Sequence, residues 1–380
     1  MAITPDDKFA SRLAFLDGVP ICQITQSASM KALVSPKYNY IFQKKDGGFA
    51  RWGATEEDDP DLSPFGPEIA DIELSTACSG ITGTPCKFCY KSNRPVGENM
   101  SLETFKKVFA ALPPTLTQIA FGLGNIDANP DLWAIFSHCR ENDIVPNVTI
   151  NGARMTDDYY GALANLCGAV AVSRYDPKDV CYDAVEKLAE AGLEQVNIHQ
   201  LLCEETYESC FELIEDVKTD PRLKKLRAIV FLGYKNKTSS RQFNYLDNLS
   251  KYANLVESCK EAGISIGFDS CSGPVYFKAT NPDEQQRMLV EPCESGLFSI
   301  YCNVNGEVFP CSFAENTLGW EKGISLPGVA DFLRDVWYHP KMVAWRDLLL
   351  ASSTKCNCQF STDCRSCPIY EELNTCKRED

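Results

Sequence analysis

The sequence predicts an α/β fold in which a parallel sheet forms an open or partial barrel, followed by a small cysteine-rich region. Between Ile69 and about Asp269, short apolar runs alternate with helical patterns, which is typical of repeated βα units. After about Pro274 this alternation stops and cysteines become frequent. Six or seven βα units are fewer than a closed eight-unit barrel requires, so we expect an incomplete barrel.

Residues 1–68 are predicted to form an irregular extension that leads into the barrel. A hairpin is expected where residues 38–43 precede the turn Asp46-Gly47-Gly48, and an acidic, proline-rich stretch follows at 56–67. Because this segment shows no clear helix and strand pattern, we expect no separate leader-peptide-binding domain in it. The expected parts are an N-terminal extension at 1–68, a barrel at 69–275 and an auxiliary region at 276–380.

Short apolar runs mark the expected strands of the barrel. They are Asp71 to Thr76, Thr117 to Phe121, Asn147 to Ile150, Ala169 to Ser173, Gln195 to Leu201, Ala228 to Leu232 and Ile264 to Phe268. Between them the pattern predicts a helix from Ser101 to Leu112, with Ser101 as its N-cap. A second helix is predicted from Ala184 to Ala191, ending at Gly192.

Composition and charge narrow the class of protein. With 37 basic and 52 acidic side chains the formal net charge is −15, which argues against a broad nucleic-acid-binding surface. The first residues carry acidic groups and no long apolar run, so we expect neither a secretory signal nor a membrane span. The cytoplasm is therefore the expected compartment.

Three cysteines lie on one loop directly after the first expected strand of the barrel. The 19 cysteines of a cytoplasmic chain favour metal or iron–sulfur ligation over a disulfide framework. Thiolates suit iron–sulfur clusters and zinc, and structural sites of both kinds usually have four protein donors. Here Cys78, Cys86 and Cys89 have no fourth cysteine nearby, since the next in the sequence is Cys139. A cluster held by these three would leave one iron open to a small-molecule chelate.

The loop resembles the cluster loop of the radical S-adenosylmethionine (radical SAM) superfamily. That family has the spacing Cys-x3-Cys-x2-Cys with an aromatic residue before the third cysteine, and this chain keeps the second half as Cys86-Lys87-Phe88-Cys89. The first gap is longer, at seven residues. The resemblance implies a partial (β/α)6 radical SAM barrel, one 4Fe-4S cluster on the loop, and S-adenosylmethionine (SAM) bound to its open iron.

The turns after the other strands also resemble those of the family. Gly122-Leu123-Gly124-Asn125 stands where the family has a Gly-Gly-Glu turn, so contact with the SAM amino group falls to Asn125 and backbone carbonyls, or moves elsewhere. A serine near the ribose and a basic residue near the carboxylate correspond to Ser173 and Arg174. The SAM-binding residues implied by the resemblance are Phe88, Gly122, Gly124, Asn125, Asn151, Ser173, Arg174, His199, Leu232 and Tyr234.

The C-terminal cysteines resemble those of the SPASM extension of radical SAM enzymes. Residues 302–311 predict two strands around Asn305-Gly306, with Cys311 at the end. The resemblance implies one or two auxiliary 4Fe-4S clusters. One would be held by Cys293, Cys302, Cys311 and Cys367, and the other by Cys356, Cys358, Cys364 and Cys376. The Cys-x-Cys gap at 356–358 departs from the usual Cys-x2-Cys. A single auxiliary cluster is therefore an alternative, and so is a zinc site.

Candidates for the chemistry itself lie near the last strand and the cysteine loop. Cys271 follows the last expected strand and could face the cavity, whereas most other scattered cysteines are expected to be small buried apolar residues. Tyr90 and Asp269 are further catalytic candidates. For His199, at a strand end, a role in the cavity and a structural role in the core both stay open.

The resemblance implies reductive cleavage of SAM to methionine and a 5′-deoxyadenosyl radical, which abstracts a hydrogen atom from the substrate. An electron donor such as flavodoxin or ferredoxin is implied as well. Because SPASM-type enzymes most often modify peptides, crosslinking or oxidation of a peptide or protein side chain is the leading hypothesis. Two alternatives are radical SAM oxidation or rearrangement of a small molecule, and a non-enzymatic zinc-binding scaffold protein.

Overall fold

The structure is a computed structural model that describes residues 10–16, 19–237, 243–287, 290–317, 319–353, 359–360, 364–370 and 373. Within these ranges the strands form a five-stranded antiparallel sheet and a ten-stranded sheet. The ten-stranded sheet carries the parallel barrel strands and also three strands of the cysteine-rich region.

The N-terminal segment forms an antiparallel meander, where an irregular extension was expected. Its strands are β1 (Ala10–Leu16), β2 (Val19–Gln26), β3 (Met30–Val34), β4 (Asn39–Gln43) and β5 (Phe49–Trp52). The expected hairpin is confirmed as β4 and β5. Strand β3 was missed because its hydrophobic alternation is inverted: Lys31 is buried and donates to the carbonyl of Leu116 at 2.5 Å, while Val34 is exposed.

The barrel strands run parallel and lie side by side in sequence order, which confirms the strands expected from the sequence. They are β6 (Ile69–Glu73), β7 (Gln118–Gly122), β8 (Val145–Ile150), β9 (Val170–Ser173), β10 (Val196–Leu202), β11 (Ala228–Gly233) and β12 (Ile266–Phe268). The order of strands in the sheet begins at β12 and does not return to it, so the described part of the barrel is open. The α/β partial barrel is therefore confirmed.

Amphipathic helices connect the parallel strands and cover one face of the sheet. They are α1 (Leu102–Ala111), α2 (Leu132–Glu141), α3 (Asp157–Leu166), α4 (Asp179–Glu190), α5 (Tyr207–Thr219), α6 (Leu249–Glu261) and α7 (Gly273–Thr280). Ser101 caps α1 as expected, because its Oγ accepts a hydrogen bond from the N–H of Thr104 at 3.1 Å. Between these helices and the sheet lies the main hydrophobic core, with Ile72, Phe121 and Ile198 fully or almost fully buried.

The cysteine-rich region is continuous with the barrel sheet. After the short helix α8 (Glu284–Arg287) come β13 (Ser299–Cys302), β14 (Glu307–Phe309) and β15 (Ile324–Ser325), followed by α9 (Pro340–Ser353). Strands β13 and β14 form the expected hairpin, with Gly306 in the left-handed region at φ 79°. Strand β13 also pairs in parallel with β6. The strand before the three-cysteine loop is thus bonded directly to the C-terminal hairpin.

None of the helices in the described part of the chain is both long enough and apolar enough to cross a lipid bilayer.

Candidate functional site

The candidate site lies at the carboxyl ends of the parallel strands, where ligands bind in open α/β sheets. Side chains alternate between two faces along a strand, and paired residues of neighbouring strands share a face. On β6, Glu73 lies opposite the core residue Ile72 and is in register with Gly122 of β7. On β10, His199 lies opposite Ile198 and is in register with Ser173 of β9. These groups therefore face away from the helices, into the concave side of the sheet.

The three-cysteine loop holds its thiols close to one another. Cys78 is fixed by its N–H, which donates to the carbonyl of Arg94 at 2.7 Å, and a turn joins the N–H of Cys89 to the carbonyl of Cys86 at 3.2 Å. Burial, followed by the neighbouring thiols Cys89 and Cys78, raises the pKa of Cys86 to about 11. Since metal binding requires thiolates, these thiols would release protons when they bind metal.

Asn125 and Gly124 hold this loop against the end of β7. The Asn125 side chain accepts hydrogen bonds from Ser79 N at 2.8 Å and Ser79 Oγ at 3.1 Å, and donates to the carbonyl of Gly80 at 3.1 Å. A Cβ on Gly124 would lie 2.3 Å from the Cβ of Cys78, so only glycine fits there. Asn125, predicted as a SAM contact, is almost fully buried and uses both ends of its amide to position the loop.

Arg154 is a basic residue near the cysteines that the sequence analysis missed. Its guanidinium donates to Ser79 Oγ at 2.6 Å and forms an ion pair with Asp127 at 3.3 Å. Burial raises the pKa of Cys78, whereas the N–H of Gly80 and, more weakly, the charge of Arg154 lower it. The sequence pointed to Arg154 only through its position, because it ends the turn that contains Asn151 and Gly152. The φ angle of Arg154 is 61°.

Aromatic rings gather beside the third cysteine. The centroid of Phe88 lies 5.0 Å from that of Tyr175 and 5.3 Å from that of Phe243, and Tyr234 lies 5.9 Å from Phe243. Burial raises the pKa of Tyr175, and the three thiols of the cysteine loop raise it further. Phe243, which was not selected from the sequence, thus joins the two predicted residues Phe88 and Tyr234, and Tyr175 packs on Phe88 alone.

The basic residue predicted for the SAM carboxylate is directed elsewhere. The guanidinium of Arg174 donates to Tyr182 Oη at 3.0 Å, to Gln200 Oε1 at 3.3 Å and to Glu212 at 3.4 Å. Tyr182 and Glu212 belong to α4 and α5, so Arg174 lies on the face covered by helices while Ser173 lies on the concave face. The structure therefore does not bring Arg174 to the candidate site.

The other predicted SAM contacts lie at or near the concave face. Asn151 uses its Oδ1 to accept from the N–H of Ala153 at 3.0 Å, which fixes the turn after β8. Leu232 alternates with the fully buried Phe231 and so faces the concave side. Burial lowers the pKa of His199 to about 4, although the charge of Asp269 opposes this, so His199 is neutral at pH 7.

Asp71 is an acidic group of the concave face that was not selected from the sequence. It shares the face of Glu73 on β6 and is exposed to solvent on the concave face, although the surrounding protein partly desolvates it. This partial burial raises the pKa of Asp71 to about 7. Glu73, on the same face, is paired with Lys91 at 3.2 Å and with the hydroxyl of Tyr301 at 3.0 Å.

The predicted catalytic residues have different surroundings. Asp269 accepts hydrogen bonds from Ser272 Oγ at 2.5 Å and Gly233 N at 3.2 Å and pairs with Lys235, so its carboxylate has a structural role. The Tyr90 ring stacks on Phe313 with centroids 4.4 Å apart. Cys271 lies in a short 3-10 helix, Ser270–Ser272, directly after β12.

The C-terminal cysteines are only partly described. Cys356, Cys358 and Cys376 lie outside the described residues, so their predicted partition is untested. Cys364 is half-buried and packs against the main core. Burial, followed by the charges of Cys293 and Cys367, raises the pKa of Cys311 to about 12, so these three thiols lie near one another.

The cysteine loop suits a cluster better than a single ion. Around one zinc ion with bonds of about 2.3 Å, tetrahedral ligands would lie about 3.8 Å apart. In the described residues, no three His, Cys, Asp or Glu side chains converge closely enough to hold one metal ion. In a four-iron cluster each thiolate binds a different iron, so three neighbouring thiols on one loop fit that group.

Comparison with known proteins supports the fold. The chain matches no protein-family model, and no curated protein matches it. Among solved structures, Streptococcus suis SuiB bound to S-adenosylmethionine is 17% identical, over 83% of this chain and 75% of SuiB, with a TM-score of 0.64. SuiB bound to precursor peptide SuiA is 14% identical, over 91% of this chain and 97% of that one, also at 0.64. The structure of anSMEcpe with bound AdoMet and Cp18Cys peptide is 16% identical, over 78% and 88% of the two chains, at 0.55.

Similarity at this level of identity establishes the fold. The radical SAM fold expected from the sequence is therefore confirmed, while roles of individual residues rest on the geometry described above.

Proposed function

We propose that this protein is a radical SAM enzyme that modifies a peptide or protein side chain by crosslinking or oxidation. The observation that carries the proposal is the three-thiol loop, clamped by Asn125 and Gly124 at the open end of a radical SAM barrel. The proteins that share this fold, SuiB and anSMEcpe, were crystallised with SAM and with peptides.

Each part of the site would have a distinct task. Cys78, Cys86 and Cys89 would hold a 4Fe-4S cluster, and Asn125 would fix the loop that carries them. Bound SAM and the reduced cluster would together supply a 5′-deoxyadenosyl radical that abstracts a hydrogen atom. The Phe88 ring lies next to Tyr175 and is well placed to pack against the adenosine.

The concave face would exclude water and orient the substrate. Its Asp71 carboxyl, with a pKa near 7, can exchange protons with a substrate at neutral pH, whereas the neutral His199 would offer a hydrogen bond only. An electron donor such as flavodoxin or ferredoxin would reduce the cluster. The C-terminal cysteines would hold one or two auxiliary clusters, which would bind the substrate or accept its electron.

SAM cleavage is the first test. Protein purified without oxygen should be brown, contain iron and sulfide, and release 5′-deoxyadenosine from SAM when dithionite is added. Cys86→Ala should abolish this release, because it removes a loop thiolate. Cys259→Ala is the matched control, since it removes a fully buried thiol on α6 and should leave the release unchanged. A colourless protein that contains zinc would refute the proposal.

Substrate class is the second test. Peptides encoded beside the gene would be incubated with active protein and SAM, and their masses measured. A peptide that loses two hydrogen atoms per turnover would support a crosslink or oxidation. If 5′-deoxyadenosine forms but no peptide changes mass while a small molecule is consumed, the peptide assignment is wrong and the radical SAM assignment stands.

A further inference from the structure

Among the C-terminal cysteines that the structure describes, Cys302 is directed away from Cys293, Cys311 and Cys367. It is fully buried at the end of β13, where it pairs with Ile72 of β6 and so shares the core face of that strand. Its Sγ contacts the carbonyl of Asn303 at 3.6 Å. Burial raises the pKa of Cys302, and among the described residues the charges that raise it further are those of Glu73 and Glu307.

Cys271 lies on the opposite side of the barrel opening, yet specific contacts tie its segment to that of Cys311. Lys235, just after β11, pairs with Asp269, two residues before Cys271. The same Lys235 ammonium lies 5.0 Å from the centroid of the Phe313 ring. The residue Lys237 adds a hydrogen bond of 2.9 Å to a carbonyl in the segment 311–313. The loop after β11 thus joins the end of β12 to the end of the C-terminal hairpin.

Two more contacts bring the remaining cysteines to the same place. The Phe313 ring lies 5.7 Å from the ring of Tyr370, edge to face. Arg365 Nη1 donates to the carbonyl of Cys293 at 3.4 Å. Because Cys367 lies between Arg365 and Tyr370 in the chain, it is held between the segments of Cys293 and Cys311.

The electrostatic interactions among the thiols link the same four residues, Cys271, Cys293, Cys311 and Cys367. Burial raises the pKa of Cys271; Lys235 opposes this, and the charges of Cys293 and Cys367 add to it. Those two thiols also raise the pKa of Cys311. Cys293 and Cys367 therefore interact electrostatically with both Cys271 and Cys311.

We propose that Cys271 is the fourth thiolate of an iron–sulfur site whose other ligands are Cys293, Cys311 and Cys367, and that Cys302 is a core residue. This inference rests on the proposed function, since that function supplies the auxiliary cluster. It also changes the expected role of Cys271 from a group that reacts with substrate to a group that holds metal at the rim of the barrel.

The surroundings suit a cluster that carries negative charge. Four thiolates with four irons have a net negative charge, which is costly to bury unless a cation lies close by. The ammonium of Lys235 is 7% exposed and lies among the four segments. Its pairing with Asp269 and its position over Phe313 fix it there.

The test measures iron in a background that lacks the barrel cluster. The full chain carrying Cys78→Ala, Cys86→Ala and Cys89→Ala would be reconstituted with iron and sulfide, then combined with Cys271→Ala or with Cys302→Ala. We expect Cys271→Ala to lose about one iron per chain, from the corner left without a thiolate, and to alter the electron paramagnetic resonance spectrum, whereas Cys302→Ala should change neither. Circular dichroism would check that each variant is folded.

A second variant keeps the test valid if Cys271→Ala does not fold. In Cys271→Ser an oxygen ligand can replace the thiolate, so the cluster should persist with an altered electron paramagnetic resonance spectrum, whereas Cys302→Ser should leave the spectrum unchanged. An unchanged iron content together with an unchanged spectrum in Cys271→Ala, or the same changes in Cys302→Ala, would overturn the assignment. Failure of the proposed function would look different, since the chain with all of its cysteines would then release no 5′-deoxyadenosine from SAM, whatever the iron content of the background chain.

Discussion

Asn125 gives the most specific prediction about how the three-cysteine loop is held. Replacing it with alanine removes three hydrogen bonds, to Ser79 N, Ser79 Oγ and the carbonyl of Gly80. Each bond contributes about 1 kcal/mol, and a buried partner left without one costs about 1–3 kcal/mol. We therefore expect Asn125→Ala to lower the free energy of unfolding by about 2–4 kcal/mol.

Loss of stability alone would not show that Asn125 serves the loop, so a matched control is needed. Asn129 also makes three hydrogen bonds, to the carbonyls of Leu74 and Met100 and to the N–H of Asp131. It is similarly buried, but its partners are Met100 and Asp131, at the start of α1 and α2, and Leu74, directly after β6, and none of them lies in the segment from Cys78 to Cys89. Asn129→Ala should therefore cost similar stability.

The assay compares two properties of each variant. Urea unfolding of the metal-free protein gives the free energy, and SAM cleavage after anaerobic reconstitution reports the barrel cluster. We expect both variants to be destabilised, but only Asn125→Ala to lose most of its SAM cleavage at a temperature where both are folded. If both variants lose SAM cleavage equally, or if Asn125→Ala loses none, the proposal that Asn125 holds the cysteine loop in place is refuted.

Three further predictions concern other parts of the site. Gly124→Ala should abolish SAM cleavage, because the new Cβ would lie 2.3 Å from the Cβ of Cys78. Gly122→Ala is the control: no atom lies nearer than 3.9 Å to its new Cβ, so the loop should form and keep its iron. The pKa of Asp71 is raised from 3.8 to about 7, so the folded chain binds more protons there than the unfolded chain. This contribution makes the free energy of unfolding fall as pH rises from about 4 to 7. Urea unfolding of Asp71→Asn should show a free energy of unfolding that lacks this part of the pH dependence. Lys235→Met should make the reduction potential of the auxiliary cluster more negative in a redox titration, because a buried cation favours the more negative reduced state, while Lys235→Arg should change it little.

Local patterns in the sequence predicted the parallel sheet well. The strands of the barrel are apolar because helices cover one face, and this burial leaves a strong signal in each short run. The turn at Asn305-Gly306 predicted the C-terminal hairpin for an equally local reason, since Gly306 takes a left-handed conformation. The meander was not predicted because Lys31 occupies a buried position that is usually apolar.

The direction of individual side chains could not be predicted from the sequence. Ser173 and Arg174 are neighbours at a strand end, but alternation turns the serine to the concave face and the arginine to the helices. The position of Cys302 depends on its register with Ile72, which comes from a distant part of the chain. Arg154 and Tyr175 reach the cysteine loop only through the paths of their turns, which have no simple sequence signal.

The parallel pairing of β13 with β6 has a consequence for how the chain folds. Ile69 pairs with Ser299, so the neighbour of the first barrel strand comes from near the other end of the chain. During synthesis β6 keeps an unpaired edge until that late segment emerges, and such long-range pairing is slow. The loop after β6 reaches its final support only then, so we expect iron to be inserted after the whole chain has been made.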